Sequence, residues 1–492
     1  MLVELVILAV LIVMLRKYLF KSRAEKLYEK IPGPKPYPIV GNLFYFNHAK
    51  EDPIITLKNF SKQYGPVYYM RMCSENVVCI RNTSDVEVVL SNNAMVNKPD
   101  GNKVLFPVVN QGLFTSSGEE WRKQRKFLTP AFHVSVLQSF ISYFEKSAIL
   151  LVKNLSEMVG KEFDVTKLMS LCSFDIICET AMGLETQVQI NKNSAILNAV
   201  NELMRILTER HFSVLQSSFL FHFMSKGRRH NQLIKYVHEV TEEMIRKRRQ
   251  AFNTSKEMHE EDIDIGTKQK KPFLDLMLEY SSGGAGMTDL EIRQQVNTFM
   301  IAGYDTSQTA MSLTLYCLSH HPEIQERVYQ EIRQIFGESD RDATHQDLQE
   351  MRYLENVIKE SLRMYPLTGF IARVCCEEIT LKSGYVIPKN TSVVILMEAI
   401  CHDPQVYPDP YTFDPNRWEK KSSHYSYLHF GAGIRNCIGQ RFAMLEMKSV
   451  LSRVLRNYRI LPSDIPLDLK YYIVVKSVSG VNIRIEPRDT KV

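Results

Sequence analysis

The stretch MTDLEIRQQVNTFMIAGYDTSQTAMSLTLYCLSH, Met287 to His320, decides the fold. Thr288 and Glu291 stand in capping-box spacing at its start, and the helical run behind them is too long for an ordinary surface element. Such a helix is expected to cross a core. In its middle AGYDTS, Ala302 to Ser307, interrupts an apolar stripe with a glycine, an acid and two hydroxyls. A glycine inside a helix costs about 1 kcal/mol relative to alanine, and a threonine hydroxyl can bond back to a carbonyl and loosen the turn. Two readings stand at this point. One is a packing kink; the other is a groove where a small ligand approaches backbone, with Thr306 and Asp305 placed to pass protons.

Outward from this helix the chain reads as one body. Tyr64 to Leu90 alternates β-branched and aromatic residues and then turns helical, and the apolar periodicities from Glu119 onward are helical. Asn253 to Lys271 has almost no large apolar residues and is expected to be a mobile surface loop within the domain. Tyr471 to Pro487 reads as strand, Ser479-Gly480 turn and strand. The fold class is therefore mainly α with small β-sheets, and 492 residues with 45% hydrophobic content can bury a large core.

The N-terminus carries an apolar run from Leu2 to Leu15 broken only by Glu4, followed by Arg16, Lys17, Lys21 and Arg23. Positive charge behind the run, with no small-residue cleavage site, points to a retained anchor with a cytoplasmic body, rather than a cleaved signal peptide. The expected organisation is a membrane anchor over 1–23, a proline-rich linker over 24–45 and a catalytic domain over 46–492. Four prolines and two glycines between Ile31 and Asn42 stiffen that linker. A net charge of +6 is too mild for a protein that neutralises many phosphates, so no nucleic-acid partner is expected. The nine cysteines are odd in number and lack zinc-like spacing, which suits reduced thiols facing the cytosol; all but one, Cys73 and Cys79 included, are expected to be buried.

Three further motifs carry chemistry. Glu360 and Arg363 stand at i, i+3 in YLENVIKESLRMYP, and Arg417 in FDPNRW offers a second guanidinium for Glu360. An ordinary surface pair is the rival reading. The third is YLHFGAGIRNCIGQRFAMLEM, Tyr427 to Met447, where Cys437 precedes a helix-forming run. A helix N-terminus and Arg435 both favour thiolate, and Gly431, Gly433 and Gly439 let the backbone close around something bulky. A soft metal ligand and a nucleophile both fit this thiol.

Taken together these motifs resemble the cytochrome P450 superfamily. Its haem loop F-x-x-G-x-R-x-C-x-G is matched by Phe430, Gly433, Arg435, Cys437 and Gly439, preceded in order by Trp121 and Arg125, Ala302 to Thr306, Glu360 to Arg363, and Arg417. WRKQRKFLTPAFH, ETAMG and RNCIGQRFAMLEMK resemble family 4 or its clan. The resemblance implies one catalytic domain whose long helix crosses haem b, with Cys437 as the iron ligand. Trp121, Arg125, Arg373 and Arg435 would hold the propionates. Phe430 would shield the sulfur, and Gly431, Gly439 and Ala302 would adjoin the cofactor. Glu360, Arg363 and Arg417 would be structural, and Thr306 with Asp305 would deliver protons. Ala302 stands where family members often carry a glutamate that bonds covalently to haem, so non-covalent haem is expected.

The implied activity is insertion of one atom of O2 into an apolar small molecule, such as a fatty acid, a hormone-like lipid or a xenobiotic. The implied electron source is NADPH through its cytochrome P450 reductase, with cytochrome b5 as a further partner, at the endoplasmic reticulum membrane. Arg122, Lys123 and Lys126 would suit the reductase's acidic face. A haem-binding protein without oxygen chemistry and an isomerase or dehydratase are the rivals, and the Asp305-Thr306 pair favours the monooxygenase. The substrate pocket is expected to draw on Asp100 to Leu113, Leu207 to Met224, Phe299, Ala302, Leu367 to Ile371 and Val478.

Overall fold

A computed structural model of the protein describes residues 21–48, 52–193, 195–213, 219–259, 272–282, 286–420 and 423–488. Most of the expected anchor lies outside the described residues, and among these no helix is long and apolar enough to cross a membrane.

Helix α1 (Arg23–Tyr28) opens on a Ser22/Glu25 capping box, and the proline-rich segment after it contains no helix until Leu43. That segment is pinned as well as stiff. Asn42 is fully buried, donates to the carbonyls of Pro34 and Lys35 at 3.2 and 3.1 Å, and accepts from the Arg71 N–H at 2.7 Å. Helix α2 (Pro53–Tyr64) leads into the hairpin β1 (Val67–Met72) and β2 (Glu75–Ile80) and then helix α3 (Thr83–Ser91). Cys73, expected in the core, sits instead in the tight β1–β2 turn with φ of 53° and is half-buried, as is Cys376.

The helical body comprises α4 (Gly118–Leu128), α5 (Ile141–Ser156), α6 (Val165–Met182), α7 (Ala195–His211), α8 (Ser225–His259), α9 (Asp289–His320) and α10 (Arg352–Met364). Strands β3 (Phe370–Val374) and β4 (Ser392–Leu396) complete a four-stranded sheet of order β1-β2-β4-β3, with β2 and β4 parallel. Helix α11 (Gln440–Asn457) follows, then β5 (Tyr458–Pro462), β6 (Leu469–Tyr472), β7 (Val474–Ser477) and β8 (Asn482–Pro487).

Helix α9 does cross the core. Its capping box is formed, with Thr288 Oγ1 accepting from the Glu291 N–H at 3.3 Å and Glu291 Oε2 accepting from the Thr288 N–H at 2.7 Å. Burial is nearly continuous from Ile292 to Ser319 and lapses around Ile301–Gly303 and at Thr306. Helix α6, equally apolar, lies along it, with Phe174 edge-on to Tyr304 at 5.7 Å. The Gly303 position faces α6: a Cβ there would lie 2.6 Å from Ile177 Cδ1. The glycine thus serves close packing of α9 on α6, not a ligand's approach to backbone.

Two other expectations change. Asn253 to His259 continues α8 as helix, and 260–271 lie outside the described residues. The C-terminal strands exist but pair differently. β7 pairs back onto β6 around Ile473 at φ of 63°, while β8 pairs with β5 and with the two-residue strand Phe163–Asp164. Asp164 draws β8 away from β7, since its carboxylate accepts from the Val481 N–H at 2.9 Å.

Buried polar contacts tie α11 to the rest. Arg453 donates to Glu145 of α5 at 2.6 Å with both side chains at most 2% exposed, and Ser307 of α9 donates to Glu446 at 2.7 Å. The helix that follows Cys437 is therefore fixed against both α5 and α9.

Candidate functional site

Cys437 lies two residues before the Gly439 N-cap of α11, and its N–H donates to the Phe430 carbonyl at 2.7 Å. The loop between them turns through Gly431 and Gly433 at φ of 67° and 69°. At Gly433 the requirement comes from the protein itself, because a Cβ would lie 1.9 Å from the Leu90 carbonyl oxygen at the end of α3. Phe430 packs partly buried against the core. The Cys437 side chain is the most accessible of the nine cysteines. Its depth in the fold nevertheless pushes the thiol up, with the Gly439 N–H and the Arg125 guanidinium pulling it back. Desolvation is thus the largest influence on this thiol and opposes the helix end and Arg125.

Cations gather beside this thiol. Arg125 of α4 donates to the carbonyl and the side-chain oxygen of Asn436, both at 2.8 Å. Arg435 donates to the Ser116 carbonyl at 2.9 Å and stacks 4.6 Å over the buried Trp121 ring. Arg373 of β3 is buried and held down to about 10 by desolvation. Arg435 is held down to about 9 by burial, then by Arg373 and Arg125. Lys98, absent from the sequence-based set, completes the group. Burial, with Arg373 and Arg435 beside it, pushes its ammonium far down, and it stands 4.8 Å over the Phe114 ring. Among the described residues none of these four groups is ion-paired to a carboxylate, so the three guanidiniums leave uncompensated positive charge near the thiol, with the Lys98 amine as a further donor. That is the complement of an anionic group carrying carboxylates, and of a metal that takes a soft ligand. The residues present therefore fit an anionic metallo-cofactor such as haem.

On α9, Ala302 is exposed although it sits mid-core, and Thr306 is half-buried with Oγ1 donating to the Ala302 carbonyl at 2.7 Å. This is the back-bonded hydroxyl expected from sequence. Asp305 is only 3% exposed and is ion-paired to Lys476 of β7.

Glu360 and Arg363 of α10 are fully buried, which removes the surface-pair reading. Arg363 donates from Nε and NH2 to the Glu360 carboxylate at 2.9 and 2.8 Å, and Arg417 Nε reaches it at 3.2 Å. Trp418 Nε1 at 3.1 Å and the Asp414 N–H at 2.9 Å complete the acceptor's coordination. Arg363 also donates to the carbonyls of Cys401, Pro410 and Thr412, so one side chain fastens a helix end and two loop positions. Trp418 follows Arg417 directly, and its indole N–H was the available signal for its part in this network.

A cavity of about 1210 Å³ opens on Lys98, Ala372 and Val374 near the cation group. It takes in Asp100 to Gln111 in part, Arg210 to Phe212 and Phe370, as expected, and adds Leu43, Met70 and Met72, which sequence did not suggest. Phe299, Ala302 and Val478 do not line it. Phe299 stacks between Phe132 and Phe273 at 5.6 and 4.3 Å, and Val478 is 56% exposed.

Comparison with known proteins adds the family. The cytochrome P450 family model matches residues 31–477. Cytochrome P450 4d2 of Drosophila melanogaster is 35% identical, covering 98% of each chain. Cytochrome P450 4c21 of Blattella germanica is 35% identical over 97% of this chain and 98% of its own. Cytochrome P450 4V2 of Homo sapiens is 33% identical over 95% of this chain and 92% of its own.

Proposed function

The chain belongs to the cytochrome P450 family and is a haem-dependent monooxygenase; on that premise we propose that it oxygenates an apolar small molecule with electrons from NADPH delivered by cytochrome P450 reductase. The observation that carries this reading is Cys437 near three guanidiniums and the Lys98 amine, none of them paired to a carboxylate among the described residues. Cys437 is the iron ligand, and Arg125 offsets its charge. Arg125, Arg373, Arg435 and Lys98 receive the propionates, with Trp121 stacked under Arg435. Haem, when bound, supplies the activation of dioxygen.

The protein's own part is positioning, proton supply and exclusion of water. Thr306 holds a hydroxyl on the exposed stretch of α9 and relays protons that come by way of Asp305. Phe430, Gly431 and Gly439 enclose the sulfur side. Ala302 presents only a methyl, which cannot form an ester, so acid-acetone extraction releases all the haem. Glu360, Arg363 and Arg417 fasten the loops behind the site. The substrate is a fatty acid, a hormone-like lipid or a xenobiotic, and the apolar residues Leu43, Met70, Met72 and Phe370 in the large cavity support shape selection over a fixed polar contact.

Residues 46–492 form the catalytic domain, residues 1–23 anchor it in the endoplasmic reticulum membrane facing the cytoplasm, and 24–45 link the two. Arg122, Lys123 and Lys126 are exposed on α4 and give reductase or cytochrome b5 a cationic surface. A screen of lipids and aromatic compounds with reconstituted reductase tests this reading. It predicts a hydroxylated product, and Thr306→Ala lowers product formed per NADPH. No oxygenated product from any compound, or unchanged coupling in the variant, counts against it.

A further inference from the structure

A cavity of about 250 Å³ lies between α6, α7, α9 and the β6–β7 hairpin, and none of its lining residues lines the large cavity beside the cations. Met204 of α7, Leu313 of α9, Leu469 of β6 and Val475 of β7 give it an apolar wall. Its volume is below the roughly 300–1,000 Å³ of sites that take drug-sized molecules, so a ligand that fits it has one ring or a short chain.

Gln308 of α9 lines this cavity and is only 2% exposed. Its Nε2 is used within the protein, donating to Thr309 Oγ1 at 2.7 Å and to the Asp305 carbonyl at 3.2 Å. Thr309 Oγ1 already donates to that carbonyl at 2.8 Å, so it must accept from the amide, and the orientation of Gln308 is fixed. Oε1 is then a buried acceptor with no partner among the described residues, which carries the full desolvation cost of the group. Arg205 of α7 lines the same cavity from its exposed side. Its helix neighbour Glu202 is taken by Arg229 at 2.9 and 2.6 Å, and among the described residues the Arg205 guanidinium has no hydrogen-bonded carboxylate. Lys476, the other cation of the lining, is ion-paired to Asp305.

We propose that this cavity is a binding site, apart from the one beside Cys437, for a small hydroxycarboxylate. The ligand's hydroxyl donates to Gln308 Oε1, its apolar body lies against Met204, Leu313 and Val475, and its carboxylate meets Arg205. Each part follows from what the lining leaves open. A buried amide oxygen calls for a donor, and a hydroxyl supplies one without charge; an ammonium there would stand among Lys476 and Arg205, which are like charges. A guanidinium is the natural partner of a carboxylate, which it can hold through two hydrogen bonds.

Isothermal titration calorimetry on the haem-loaded full chain, with the iron already ligated by an azole, tests the site while the large cavity is occupied. The probes are para-hydroxybenzoate, para-hydroxyphenylacetate and para-hydroxyphenylpropionate, which carry the same two end groups at increasing separation. At least one is expected to bind with a Kd in the millimolar range or below. The matching acid without the hydroxyl is expected to bind roughly tenfold more weakly, as is the hydroxylated probe to Gln308→Met. Arg205→Gln, a change at an exposed position, is expected to weaken binding roughly tenfold as well. If Gln308→Met does not fold, the comparison of hydroxylated and hydroxyl-free acids on the wild type reads the same contact. No binding of any probe at millimolar concentration overturns the proposal, leaving Gln308 Oε1 to water alone. Binding that the azole abolishes overturns it too, because the probe is then in the large cavity. Equal affinity for the hydroxyl-free acid, or unchanged affinity in Arg205→Gln, likewise overturns it.

Discussion

Glu360→Gln isolates what the buried network contributes. In the wild type the carboxylate accepts from two nitrogens of Arg363, from Arg417 Nε, from Trp418 Nε1 and from the Asp414 N–H, all within 2.8 to 3.2 Å. Glutamine replaces one acceptor oxygen with an NH2 that faces N–H donors, and it deletes the carboxylate that pairs with Arg363, a side chain with no solvent exposure. Breaking a buried pair from one side costs about 3–5 kcal/mol. Domains are stable by only about 5–15 kcal/mol, so the loss removes a large share of the total. Urea unfolding followed by far-UV circular dichroism reads the cost as a lower midpoint at unchanged slope. Replacing both partners together by Glu360→Leu and Arg363→Met should restore part of it, because no orphaned charge remains. A Glu360→Gln protein within about 1 kcal/mol of the wild type would be behaving like an exposed pair, and the reasoning from burial would be refuted.

Glu446 gives a pH dependence. Burial raises its carboxyl to about 8 in the folded chain, against 4.5 for the free side chain, while Ser307 and Ser173 pull it down. The unfolded chain ionises first, so the favourable contribution is complete below pH 4.5 and is lost as pH rises toward 8. Between pH 6 and 8 the loss is roughly 2–3 kcal/mol, and Glu446→Gln should flatten that slope in urea midpoints; an equally steep variant would contradict it. Lys98→Met should act in opposite directions on the two forms. Removing a buried amine that desolvation, Arg373 and Arg435 all disfavour in its charged form stabilises the haem-free protein, while haem transfer to apomyoglobin speeds up by roughly tenfold, about the worth of one charge-assisted hydrogen bond. Slower or unchanged transfer would take Lys98 out of the propionate set.

The sequence was most informative where local chemistry is strong. The α9 capping box, the Cys437 loop and the Glu360–Arg363 spacing all carry fixed offsets along the chain. It was less informative where the partner lies far away. Gly303 owes its place to Ile177 on α6, and Gly433 to the Leu90 carbonyl. Lys98 joins the cations only through the fold, and β8 leaves β7 because Asp164 binds Val481 from more than half the chain away. A helix end favours a Cys437 thiolate, but the depth of the sulfur is invisible in the sequence and desolvation pushes the thiol the other way.

In the proposed function Cys437 holds haem iron as a thiolate beside these cations. Carbon monoxide added to the reduced, haem-loaded protein tests it most directly. A red-shifted Soret band in the wild type and its loss in Cys437→Ala are the predicted results; a Cys437→Ala protein that kept the band would contradict the claim.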